Sequence, residues 1–151
     1  MRPLQFLQNE KNRFDRYHIA CSIIITDIDR LKQINDNYGH EIGDKVLVEI
    51  ADIFRNRLRN MDICGRWGGE EFLIICQNTG HDNAREMVES LRADIGNHLF
   101  PTASHVTASL GVSTINDNEE IERAVKRADD ALYHAKESGR NRVACQYANM
   151  L

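Results

Sequence analysis

The sequence is poor in the features that most often announce a function. Only two prolines occur in 151 residues, and no Gly/Ser-rich, repetitive or single-sign charged tract interrupts the chain, so nothing reads as an interdomain linker. No apolar run approaches the roughly 18 residues needed to cross a bilayer, and the charged amino terminus lacks a signal-peptide core. A cytoplasmic chain with no membrane contact is expected. Positive charge is not in excess: 23 acidic against 19 basic side chains give a formal charge of -4, too little field to attract a polyanion, so no nucleic acid partner is expected. The four cysteines (Cys21, Cys64, Cys76, Cys145) form no C-x-x-C pair and read as reduced packing thiols. The histidines show no H-E-x-x-H spacing, and there is no G-x-S-x-G or Walker-type loop, which leaves zinc hydrolase, serine hydrolase and P-loop chemistry without support.

What is present patterns as one α+β domain over residues 1–151, large enough to bury about two-thirds of its unfolded surface. Leu4 to Tyr17 has helical character with a weak apolar stripe. Ala20 to Asp27 is a β-branched run that reads as a buried strand, followed by a short helix capped by Asp29 and ending near Gly39. Ile42, Val46, Ile50, Ile53, Phe54 and Leu58 give one apolar face to a helix from about Ile42 to Arg59. Ile63 to Trp67 and Glu70 to Cys76 flank Gly68-Gly69, the chemistry of a tight antiparallel hairpin in which glycine supplies positive φ. A helix from about Asp82 to Gly96, a strand from Val106 to Thr114, a helix from about Glu119 to Ser138 and a short strand from Arg142 to Cys145 complete the body. Hairpin pairing mixed with helical crossovers predicts an antiparallel or mixed sheet covered by helices.

Several residues carry candidate chemistry. Asp27 and Asp29 stand two apart at a strand end and point to one side; Glu70 and Glu71 leave the glycine turn on another strand. If the strands are neighbours, Asp27 and Glu70 converge as hard oxygen ligands for Mg²⁺, which takes one or two carboxylates plus water and phosphate. The alternative is that Asp29 caps a helix and the glutamates solvate a hairpin edge. Arg55, Arg57, Arg59 and Arg66 are a phosphate-binding cluster or a solvated helix end. Asn35, Asp36, His40 and Asp44 surround the Tyr38-Gly39 break, where a carboxylate can accept from the Watson–Crick edge of guanine or serve the helix termini. Lys136 and Arg140 hold phosphates or stabilise the end of the last helix.

These stretches, taken together, resemble the GGDEF family. Asp27-Ile-Asp-Arg-Leu-Lys-Gln-Ile-Asn-Asp-Asn-Tyr-Gly-His-Glu-Ile-Gly-Asp44 is similar to D-x-D-x-F-K-x-x-N-D-x-x-G-H-x-x-G-D, with Leu31 at the aromatic position. Arg66-Trp-Gly-Gly-Glu-Glu-Phe72 resembles R-[YW]-G-G-[DE]-E-F, and Ala108 to Ser113 and Ala128 to Asn141 resemble later family blocks. The resemblance implies a central, mainly antiparallel sheet wrapped by helices, a ferredoxin-like core related to nucleotidyl cyclases and polymerase palms. It implies a diguanylate cyclase that joins two GTP into cyclic di-GMP and two pyrophosphates, with Asp27, Glu70 and Glu71 catalytic. Asp27, Glu70 and the Ile28 carbonyl would hold Mg²⁺ or Mn²⁺. Lys32, Asn35, His40, Asp44, Gly68, Gly69, Lys136 and Arg140 would bind substrate, Asn35 and Asp44 reading guanine. Arg59 and Asp62 match an R-x-x-D product-inhibition site, while the helical arginine that often completes it is replaced by Ser90, with Arg92 displaced nearby. The implied partners are GTP, cyclic di-GMP and a second GGDEF protomer facing the first. The chain begins inside the first helix, without the D-x-L-T-G-L segment, so a truncated or unusually short product is expected, with a sensor domain in a full-length parent. The alternative class is a degenerate, non-catalytic cyclic di-GMP receptor, against which the intact signature argues.

Overall fold

The computed structural model describes residues 3–146; Met1 and Arg2, assigned by sequence to the first helix, lie outside the described residues. In chain order the elements are α1 (Pro3–Tyr17), β1 (Cys21–Ile28), α2 (Leu31–Tyr38), α3 (His40–Arg57), β2 (Ile63–Arg66), β3 (Glu71–Gln77), α4 (His81–Asn97), β4 (Ala108–Thr114), α5 (Ile121–Glu137) and β5 (Val143–Gln146). The five strands form one sheet in the order β2-β3-β1-β4-β5. All neighbours are antiparallel except β4 and β5, which are joined through α5 and run parallel.

Every residue of the central strand β1 is buried, because helices cover both faces of the sheet. Ile24 and Ile28 point into one core with Phe72, Ile74, Leu110 and Val112, closed by Val46, Ile50 and Phe54 of α3 and Val88 and Leu91 of α4. Ile23 and Ile25 point the other way, to Leu73 and Ile75 and to Leu7 of α1 and Ala124, Ala128 and Leu132 of α5. The alternation of a pleated strand therefore divides one apolar run between two cores. α5 seats directly on β4 because Gly111 carries no side chain: a β-carbon there would lie 2.2 Å from the Ala128 carbonyl oxygen and 2.3 Å from the Leu132 nitrogen.

Two local expectations are corrected. Gly68 and Gly69 do not form a two-residue turn with positive φ; positive-φ glycines among the described residues are Gly39 and Gly139. The β2–β3 hairpin exists, but Arg66 pairs with Phe72, leaving a wider connection closed by Trp67 N–H donating to the Glu71 carbonyl at 2.9 Å. Nor does Asp29 cap α2. Arg30 precedes the helix in a left-handed conformation (φ 58) without a side-chain cap, and the Asp29 carboxylate bonds elsewhere. The Tyr38–His40 break between α2 and α3 does occur, at Gly39 with φ 91.

Candidate active site

The carboxyl end of β1 collects the acidic residues. Asp27 is 5% exposed and lies opposite Glu71 of β3 on one side and Ser109 of β4 on the other. Directly opposed residues of antiparallel strands project to the same face, here the α5 face. From α5, the Lys136 ammonium forms an ion pair with the Asp27 carboxylate. Glu71 is half-buried, and burial followed by the charge of Asp27 pushes its carboxyl above the ordinary range; Asp129 and Glu70 add to this and Lys136 opposes it. Glu70, exposed just before β3, is raised by the same two leading causes, burial and then Asp27, with Lys136 again opposing. A single ammonium thus faces several converging carboxylates, and an additional cation would relieve their mutual repulsion.

The donor chemistry suits a hard divalent ion. Among the described residues, no three His, Cys, Asp or Glu side chains are grouped so as to enclose a metal by themselves. A divalent ion held by these carboxylates would need further oxygens, of the water and phosphate kind that complete the shell of Mg²⁺. Ile28 ends β1 with its side chain buried in the core, so only its backbone is available to such an ion. Gly68 leaves room for the Glu71 carboxylate: a β-carbon there would stand 3.2 Å from Oε2. The Gly69 carbonyl accepts from the Arg66 guanidinium.

The other residues expected to bind substrate lie on α2, on α3 and in the turn after α5. Lys32 is exposed on the first turn of α2, and His40 and Asp44 are exposed in the opening five residues of α3. Asn35 packs against Gly43, where a β-carbon would fall 1.8 Å from its Oδ1. That oxygen is buried against Gly43 and has no hydrogen-bond partner among the described residues. Arg140 lies beyond α5 in a left-handed turn, its N–H donating to the Ala135 carbonyl at 3.0 Å.

Arg59 and Asp62 belong to the other end of the sheet. The Arg59 guanidinium grips Asp62 through Nε at 3.2 Å and Nη2 at 3.0 Å, and Nη2 also donates to the Gln77 carbonyl at 2.8 Å and to Thr79 Oγ1 at 2.6 Å. Gln77 pairs with Cys21, six residues before Asp27 on β1, so the two sites are separated by about 20 Å of strand. The Asp62 side chain is wholly covered. Its hydrogen bond is the leading reason that the Arg59 pKa is raised. On α4, Ser90 Oγ donates to the Glu86 carbonyl, while Arg92 holds Glu89 and the Asn141 side chain, so neither joins Arg59. A hollow of about 900 Å³ between α4 and β5, lined by Asp82, Arg85, Glu89 and Cys145 among others, contains none of the predicted site residues.

Sequence reasoning did not single out Ser109, Thr107, Asp129 or Asn141, and it gave Asp29 the wrong task. The available signal was the polar Ser109 between the apolar Ala108 and Leu110 of the buried β4.

An open, mainly antiparallel sheet that gathers carboxylates from adjacent strand ends beneath a helix-borne lysine defines an α+β domain of the nucleotidyl cyclase kind. Comparison with known proteins makes this specific. The family model described as "Diguanylate cyclase, GGDEF domain" matches residues 3–142, and the chain belongs to this GGDEF family. It is 42% identical over 122 residues to diguanylate cyclase DgcM of Escherichia coli strain K12, covering 81% of this chain and 30% of that protein. It is also 42% identical over 135 residues to diguanylate cyclase A of Treponema denticola, covering 87% of this chain and 36% of the relative. The chain therefore spans about a third of the length of these two relatives. Among solved structures, the active GGEEF domain of a diguanylate cyclase from Vibrio cholerae matches with a TM-score of 0.91 and 35% identity, covering 96% of this chain and 94% of that one. The GGDEF domain of DgcB from Caulobacter crescentus, solved with c-di-GMP, matches with a TM-score of 0.89 and 26% identity, covering 93% and 86%.

Proposed function

We propose that this single domain is a diguanylate cyclase, condensing two GTP into cyclic di-GMP with release of two pyrophosphates. The observation that carries the reading is the placement of Asp27 opposite Glu71 at the end of β1, with Glu70 adjacent and Lys136 paired to Asp27. Asp27, Glu70 and the Ile28 carbonyl would hold Mg²⁺ or Mn²⁺, with Glu71 in support. Bound there, the ion supplies neutralisation of charge on the phosphoryl oxygens and acidification of the attacking hydroxyl. Asn35 and Asp44 receive the donors on the guanine edge. Lys32, Lys136 and Arg140 balance the triphosphate, and His40, Gly68 and Gly69 line its path. Each ribose 3′-oxygen forms a bond to the α-phosphorus of the other GTP as the bond to the β-phosphate oxygen breaks. Glu70 or Glu71 accepts the hydroxyl proton, and pyrophosphate leaves.

One domain presents one such set, so in this reading two protomers face each other, brought together by a sensor domain in a full-length parent. A cytoplasmic setting, where GTP is at hand and thiols stay reduced, is part of this reading. Arg59 and Asp62 are the proposed product-inhibition site. The test is incubation of the purified protein with GTP and Mg²⁺ over a protein concentration series, with chromatographic separation of products. Cyclic di-GMP is expected to rise faster than linearly with protein and to vanish in Glu70→Ala. No product even after forced dimerisation, combined with tight cyclic di-GMP binding, would replace the cyclase by a receptor.

A further inference from the structure

Asp29 is 6% exposed and two residues from Asp27, yet none of the chemistry above employs it. Its carboxylate oxygens accept from three groups of distant elements: Ser109 Oγ at 2.6 Å on Oδ1, and Thr107 Oγ1 at 2.7 Å and the Asn141 backbone N–H at 2.9 Å on Oδ2. Its own N–H donates to the Thr107 carbonyl at 2.9 Å. The last of the three carboxylate contacts reaches an unfavourable stretch of backbone. Gly139, Arg140 and Asn141 have φ of 123, 62 and 45, three successive residues in the positive-φ region, two of them bearing a β-carbon. Such a run persists only where its surroundings over-determine it. Here the Arg140 N–H is held by the Ala135 carbonyl, the Asn141 side chain by Arg92 of α4, and the Asn141 N–H by Asp29. Meanwhile Lys136, on the last turn of α5, is tied to Asp27. Residues 136 and 141 are thus fastened to positions 27 and 29 of one strand end, and Arg140 lies within the span so fixed.

We propose that Asp29 is a positioning residue, whose carboxylate holds the left-handed Gly139–Asn141 turn against the end of β1 and so sets Arg140 in place for a substrate phosphate. Asp29 acts through Arg140, and neither coordinates a metal nor caps α2. The inference rests on the reading of Arg140 as a phosphate contact in the proposed cyclase site.

Residue-resolved amide hydrogen exchange of the nucleotide-free protein tests the turn without turnover. In Asp29→Ala the Asn141 amide is expected to exchange at least about tenfold faster, with Ile24 and Ile74 at the sheet centre unchanged. Asp29→Asn, which keeps a carbonyl oxygen for that N–H, falls between wild type and alanine. Unchanged protection of Asn141 overturns the proposal whatever the protein's activity.

The GTP arm asks whether the effect passes through Arg140. KM for GTP is expected to rise about tenfold in Asp29→Ala and in Arg140→Ala with a smaller change in kcat, and the double variant is no worse than Arg140→Ala alone. Additive losses overturn the coupling. Should Asp29→Ala not fold, Asp29→Asn carries both arms with the same directions. If wild-type protein binds no GTP, the cyclase reading and the phosphate role of Arg140 fall together, whereas Asn141 exchange still decides whether Asp29 holds the turn.

Discussion

A carboxylate drawn partly out of water holds its charge only against the cost of lost hydration, and Glu70 and Glu71 meet that cost beside a third carboxylate, Asp27. Glu70 itself is exposed and packs against little. Glu70→Ala should therefore abolish cyclic di-GMP formation while changing unfolding free energy by no more than about 0.5 kcal/mol in urea titrations. The thiols behave oppositely. Burial pushes Cys21 up to about 12 and Cys64 up to about 11, and raises Cys76 and Cys145 in the same direction. A raised pKa keeps the reactive thiolate scarce, so at pH 8 the native protein should react with a disulfide reagent far more slowly than the urea-unfolded chain. Rapid modification of all four cysteines in the native state would contradict this assignment. The residue identities of the acidic centre were legible from the sequence, since Asp27, Glu70 and Glu71 sit in recognisable strings. The task of Asp29 was not, because its partners Thr107, Ser109 and Asn141 are 78, 80 and 112 positions away.

At the scale of elements, α5 connects the active-site end of the sheet to its flank. Gly111 allows the helix to approach β4, and Arg127 fixes it from within: its guanidinium, 2% exposed, bonds Glu119 at 2.6 and 2.7 Å and the carbonyls of Thr114 and Gln146 at 2.6 and 2.7 Å. Arg127→Ala would strand a buried Glu119 charge and two carbonyls, and should cost about 3–5 kcal/mol by chemical denaturation. Gly111→Ala, which forces a β-carbon onto α5 backbone, should cost about 1–3 kcal/mol. The ion pair of Arg57 with Asp94, between α3 and α4 and open to solvent, is expected to contribute less than about 1 kcal/mol in a double-mutant cycle. Periodicity had marked the long helices and the hairpin to within a few residues. It misjudged the hairpin's connection, because Gly68 and Gly69 are spent on room beside Glu71 and a carbonyl for Arg66 rather than on positive φ.

Across the whole molecule, one strand separates two side-chain clusters. The acidic centre lies at the carboxyl end of β1, and Arg59 and Asp62 lie at its amino end, about 20 Å away. Product bound at Arg59, as proposed, would have no direct contact with the acidic centre of the same domain, so under that reading it would act through the arrangement of two protomers. Arg59→Ala should leave the initial rate of cyclic di-GMP synthesis intact and remove inhibition by added product; Arg59→Lys should fail to restore it, since a point charge cannot make the bidentate grip. Inhibition that survives both variants would place the product elsewhere.

The sequence by itself determined the inventory: the buried central strand, the amphipathic helices, the acidic and glycine signature and the family to which they belong. These are local patterns, written by the two- and 3.6-residue periods of strand and helix and by contiguous motifs. Tertiary structure alone decided the pairing of Asp27 with Glu71, the ion pair to Lys136, the opposite placement of Arg59, and the work of Asp29. Register, helix docking and long-range hydrogen bonds depend on how distant segments exclude water together, and no local period encodes that choice.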